Sequence, residues 1–164
     1  MPARLRAWYT AAEIEALAAR RAGLSGVYPL ADMDRLAAHA GTDTGEVAVS
    51  VQLKPQTAGW VALTLEIRAC LDVTCQRCLE PLTLELSEHV EFGLLIDEDS
   101  VGALPEGIEP IGFDGDRLSL LQLTEDEMIV AVPLVPKHDP KRCVVDASAL
   151  PDGVFSQGST TGTQ

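Results

Sequence analysis

Aromatic side chains are scarce in this chain: 2 Trp, 2 Tyr and 3 Phe among 164 residues. A surface that stacks unpaired bases needs several together, so no broad single-stranded RNA platform is expected. Positive charge is scarce too. The 12 lysines and arginines stand against 25 aspartates and glutamates, a formal net charge of −13. Such a chain gains little by displacing counterions from phosphates, the main source of non-specific nucleic-acid affinity. No run of about 18 apolar residues occurs, so no transmembrane helix is expected. P-loop, GxGxxG, HExxH and GxSxG patterns are missing. No nucleophile, base and orienting acid stand together, so the chain is expected not to be an enzyme and to take no small-molecule substrate. The amino-terminal segment lacks an apolar signal core, because Glu13 and Glu15 interrupt it and Arg20 and Arg21 close it. A mature start is expected, in the cytoplasm. Four irregularly spaced cysteines there point to thiols or metal ligands rather than disulfides.

The charge that is present is unevenly placed. Residues 1–82 carry 8 basic and 9 acidic side chains, residues 83–164 carry 4 and 16. The acidic half repels anionic membrane and complements a basic protein. Surface charge also serves solubility alone.

At this length one domain is expected, over residues 1–150, with a flexible tail over 151–164 rich in Ser, Thr and Gly. Thr10 and Glu13 have capping-box spacing ahead of a first helix, with Gly23 near its end. A second helix is expected over residues 32–40, burying Leu30, Met33, Leu36 and Ala40. Strands follow. Val47, Val49, Val51 and Leu53 share one face. From Val61 to Cys75 the odd positions are apolar and the even ones polar, a sustained period of two. Leu82, Leu84, Leu86, Val90, Phe92 and Leu94 make a third apolar row. Glu88 interrupts it, which predicts a bend or bulge. Residues 97–116 read as a long acidic loop. Ser119 and Gln122 repeat the capping-box spacing before a third helix, expected to bury Leu121, Met128 and Val132. Glu125, Asp126 and Glu127 are assigned to its charged face. Pro133 ends it. The predicted fold class is α+β: a curved antiparallel sheet of at least three long strands, with two N-terminal helices and one C-terminal helix packed on it.

The stretch CQRCLEPL, residues 75–82, lies between the two longest strands. Its paired thiols have three readings: a metal clasp, a redox dithiol, or reduced cysteines packed under a hairpin. A redox dithiol of the thioredoxin kind sits at a helix N-terminus, and here strand leads to turn to strand. His138 and Cys143, five apart in a proline-stiffened segment, complete a possible Cys3His set with Cys75 and Cys78. Zinc suits thiolates and imidazole in a closed tetrahedral site. Such a site would tie the C-terminal segment to the sheet and couple metal affinity to folding. Arg77 would help neutralise the thiolates. Cys70, on the polar side of its strand, reads as a bystander. His39 and His89 read as surface or packed residues.

CQRCLEPL, ALPEGIEPIG, LSLLQLTEDEMIVAVPLVP and KHDPKRCVVD together resemble the YceD family, whose members are called large ribosomal RNA subunit accumulation proteins. The family pattern is a CxRCxxP hairpin, a Leu-Leu and Glu-Asp-Glu helix ending in proline, then Val-Pro-x-His and a cysteine. The match runs in order from about residue 45 to 146, and more loosely over residues 28–40. The Ser, Thr and Gly ending departs from relatives that end in an apolar, basic stretch. The resemblance implies a role in the synthesis, processing or stability of large-subunit (23S) ribosomal RNA. Given the charge, the expected partner is a basic ribosomal or assembly protein, with RNA engaged indirectly. The alternative is a zinc module that binds RNA directly through Arg68, Arg77, Lys141 and Arg142.

Overall fold

A computed structural model describes residues 3–56, 59–96 and 98–143. The tail expected over 151–164, and the last expected domain residues 144–150, lie outside the described residues.

The first helix, α1 (Ala11–Ala19), follows a short strand, β1 (Trp8–Thr10). The capping box forms as its spacing predicts: Glu13 N–H donates to Thr10 Oγ1, and Thr10 N–H donates to the Glu13 carboxylate. Gly23 is not its stop. The helix ends at Ala19, and Gly23 opens an unpredicted strand, β2 (Gly23–Pro29). A short 3-10 turn, Leu30–Asp32, then leads into α2 (Asp34–Ala40), which Gly41 closes at φ 73°.

Three long antiparallel strands form the centre: β3 (Glu46–Pro55), β4 (Trp60–Thr74) and β5 (Pro81–Leu95). Val47, Val49, Val51 and Leu53 are buried as their alternation predicts, and so are the apolar odd positions of β4. The bulge expected at Glu88 is absent. Register runs unbroken from Trp60↔Leu95 to Thr74↔Pro81, with Glu88 opposite Ile67. One carboxylate in an apolar row is accommodated by half-exposure rather than by a change of pairing.

The long loop also carries more structure than expected. It holds a 3-10 turn, Glu98–Ala103, and a strand, β6 (Glu109–Ile111), that pairs with β5 in parallel. Gly93 permits this: a Cβ there would lie 2.3 Å from Leu104 Cδ2. The five-stranded order is β2-β3-β4-β5-β6, and the sheet is mixed rather than wholly antiparallel. A last strand, β7 (Arg117–Ser119), pairs with β1 and leads into α3 (Leu120–Ala131). The three helices cover one face of the sheet around a single core.

Helix α3 corrects one assignment. Ser119 caps it, since its Oγ accepts from Gln122 N–H. Leu120 rather than Leu121 is fully buried, and Glu125 is not on the charged face: it is only 6% exposed. Helix α2 has no side-chain cap of its own at Met33. Glu125 supplies it from α3. Its Oε1 accepts from Arg35 N–H at 2.8 Å and Leu36 N–H at 3.1 Å. Its Oε2 accepts from Arg35 Nε and Nη2 at 2.9 and 2.7 Å, while Arg35 Nη1 reaches Asp126 at 2.6 Å. Burial works to raise the Glu125 pKa. The Leu36 N–H, the Arg35 guanidinium and the Arg35 N–H outweigh it and hold the carboxyl below its usual value.

Removing this carboxylate strands two helix N–H groups, while the exposed Arg35 guanidinium keeps Asp126. Glu125→Ala is expected to cost about 2–4 kcal/mol in urea unfolding. Because the folded pKa is lowered, the carboxylate's contribution is present above the ordinary value near pH 4 and is lost as pH falls further. Glu125→Gln should lack that part of the acid dependence, and an unchanged acid profile in this variant would refute the capping role.

Candidate metal centre

The β4–β5 turn is closed by its own backbone. Cys75 N–H donates to Glu80 C=O, and Leu79 N–H donates to Cys75 C=O, both at 2.9 Å. Leu79 takes φ 63°, a left-handed position that lets so short a connection reverse. The arm leaving α3 is stiffened by Pro133 and Pro136 and docks here: Gln76 N–H donates to Pro136 C=O at 2.8 Å. A second short turn then brings Cys143 inward, with Arg142 N–H and Cys143 N–H donating to Asp139 C=O.

These two pieces bring all four expected residues together. One donor atom from each of Cys75, Cys78, His138 and Cys143 lies within 4.8 Å of the others. Cys75 Sγ is 3.8 Å from Cys143 Sγ, and Cys78 Sγ is 3.3 Å from His138 Nδ1. Sulfurs bound at about 2.3 Å to one tetrahedral ion would stand about 3.8 Å apart. Cys75 and Cys143 are buried, and Cys78 and His138 half-buried.

The surroundings favour ligation. His138 Nε2 lies 2.9 Å from Pro81 C=O, so with its proton there it leaves the Nδ1 lone pair towards the sulfurs. His138 N–H points at Cys75 Sγ from 3.4 Å. Burial alone would raise the Cys75 pKa. Backbone N–H groups of Cys78, His138 and Arg77 more than offset it and hold the thiol well below its ordinary range. Cys143 moves the other way, pushed up by burial and by the neighbouring sulfurs of Cys78 and Cys75. Crowded sulfurs of this kind resist collective ionisation until a cation joins them. The set could therefore hold a metal ion with four protein ligands.

Sequence reasoning missed the supporting shell, namely the Pro81 carbonyl and the Gln76–Pro136 bond. Pro136 was the available signal, since it fixes the arm just ahead of His138. Cys70 is exposed on the far face of β4, apart from the cluster. Arg77, Lys141 and Arg142 flank the ligands in the chain. Arg68 does not join them: it pairs with Ser87, six residues up β4 from Thr74, or about 20 Å along the strand.

The sequence model of the YceD family, described as large ribosomal RNA subunit accumulation protein YceD, matches residues 63–154. The chain belongs to the YceD family. Large ribosomal RNA subunit accumulation protein YceD of Haemophilus influenzae is 30% identical over 141 residues, which cover 85% of this chain and 81% of that protein. No solved structure matches. All four candidate ligands fall within the family match. No helix among the described residues is long and apolar enough to cross a membrane.

Elemental analysis of protein purified without chelator should find close to one equivalent of metal. Cys75→Ser and Cys143→Ser should each lose it, and Cys70→Ser should keep it. Retention in both ligand variants would dismiss the centre.

Proposed function

We propose that this chain is a non-enzymatic accessory factor for the accumulation of large-subunit ribosomal RNA, and that it acts through basic proteins rather than by gripping RNA. Family membership supports the ribosomal assignment, since the Haemophilus relative is named for it. The observation that carries the protein-mediated part is charge. Between residues 80 and 116 there is no lysine or arginine, and over residues 83–127 thirteen carboxylates face Arg117 alone. Arg117 is itself occupied, over the Trp8 ring and beside Asp116. A ribosomal or assembly protein carrying excess positive charge is complementary to this surface, and electrostatic steering would speed its capture.

The metal centre fits the same reading as a structural part. Its ion is zinc, which Cys3His donors hold in a closed tetrahedral site with no open position for chemistry. Its work is to fasten the arm bearing His138 and Cys143 to the hairpin.

A second reading rests on one observation. Arg77, Lys137, Lys141 and Arg142 all neighbour the ligand residues in the chain, and none forms an ion pair among the described residues. That local cationic end could touch phosphate directly. Salt separates the two readings, because direct phosphate contact gives RNA affinity that falls steeply with salt.

Affinity capture from low-salt lysate with the full chain is expected to recover ribosomal or assembly proteins of high isoelectric point, released by added salt. Recovery of free RNA without such proteins would favour the second reading and end the first.

A further inference from the structure

The two edges of the main sheet are finished differently. At β2 the chain covers its own edge. Val27 N–H donates to Ala3 C=O at 3.0 Å, and Leu5 N–H donates to Val27 C=O at 3.3 Å. Gly26 allows the approach, since a Cβ there would stand 2.2 Å from the Ala3 carbonyl oxygen. At β5 the neighbouring strand β6 reaches only Phe92, Gly93 and Leu94. Pro110 has no N–H, so its pairing with Gly93 must run through the N–H and C=O of Gly93. Odd-numbered residues of β5 therefore point their backbone groups away from β4. Thr83, Glu85, Ser87 and His89 leave theirs without a backbone partner among the described residues.

This edge is guarded by carboxylates alone, Glu88 among them on the apolar face. A long exposed edge is ordinarily blunted by lysine, proline or a bulge. Residues 82–91 have none of these. On the inner face Leu82, Leu84, Leu86 and Val90 are only half-buried, whereas Leu65, Ile67 and Leu71 on the adjoining strand are fully buried. One more strand would complete their burial. The charge of the edge is negative, with Glu85 and Glu91 on the outer face, Glu88 in the leucine row, and no lysine or arginine. Its single histidine, His89, already faces Glu66 at 3.7 Å. Behind the edge, the Glu127 pKa is raised by burial and by the carboxylates of Glu109, Asp126 and Glu88, so added positive charge there would relieve repulsion. A second copy of this chain would set glutamates against glutamates and is disfavoured.

We propose that the open edge of β5 over residues 82–91 receives an extended, lysine- or arginine-rich segment of a protein partner, which adds to the sheet as a further strand. Main-chain hydrogen bonds supply affinity. Alternate apolar side chains cover the leucine row, and alternate cations meet Glu85 and Glu91 on the opposite face. The proposal rests on the reading that the partner is a cationic protein, and it assigns that partner a place and a conformation.

The test uses the full-length metal-loaded protein and two synthetic decapeptides of alternating lysine and valine, one of them N-methylated at every second residue. Binding is read by fluorescence anisotropy at low and high salt, and its location by backbone hydrogen exchange. The plain peptide should bind, weaken with salt, and slow exchange at Thr83, Glu85, Ser87 and His89. N-methylation on the pairing side should weaken binding at least about tenfold, because it removes the hydrogen bonds and keeps the charge. Ser87→Pro should do the same, and Ser87→Ala should not. Proline is tolerated where the lost N–H faces outward, and the peptide pair needs no variant at all. Equal binding of both peptides, or of Ser87→Pro, would overturn the edge while leaving a cationic partner in place. Exchange already slowed at these residues in the free protein would overturn it as well. No binding of the plain peptide at either salt would bring down the cationic-partner reading together with the edge.

Discussion

Three backbone N–H groups converge on Cys75 Sγ, from Arg77 and Cys78 in its own turn and from His138 on a distant stretch of chain. That field favours the thiolate over the thiol, and a buried thiolate is best held by a positive partner. The arm after α3 brings two further donor residues beside that sulfur. His138 and Cys143 must arrive beside the hairpin, so the arm after α3 cannot wander. Its two prolines and the Gln76–Pro136 bond hold it in place. Pro133 ends α3 ahead of the arm, and α3 carries the carboxylate that α2 requires.

Coupling of this kind runs through the structure. Helix α2 is seven residues long and lacks a cap of its own, so in isolation it would not persist. Glu125 gives it one across 90 positions of sequence. The thiol cluster thus follows α3, and the cap is carried at its middle.

The long strands were legible because one face of each is buried and the other is wet, and that contrast writes itself as alternation. The first helix was legible from Thr10 and Glu13, whose spacing has a local mechanism. The four ligand residues were legible because few residue types can do their chemistry. What escaped notice depends on partners far away in sequence. Strand β2, GLSGVYP, has two glycines and no clear alternation, and it forms because β3 pairs with it from end to end. Strand β6 contains a proline and pairs through its neighbours. Glu125 was misassigned although it lies on the helical stripe of Leu121, Met128 and Val132. The acidic triplet around it outweighed the periodicity, and the missing cap at Met33 was the signal that a buried acceptor was wanted.

The separation between the two halves of the thiol cluster has a consequence for biosynthesis. Cys75 and Cys143 are 68 positions apart. At elongation rates of about 5–20 residues per second that interval takes roughly 3 to 14 s. During it the hairpin can form, but its sulfurs stand open at the tip with half a coordination shell. An ion needing all four donors could be held only once the arm has emerged, so its binding would report a polypeptide made at least as far as Cys143.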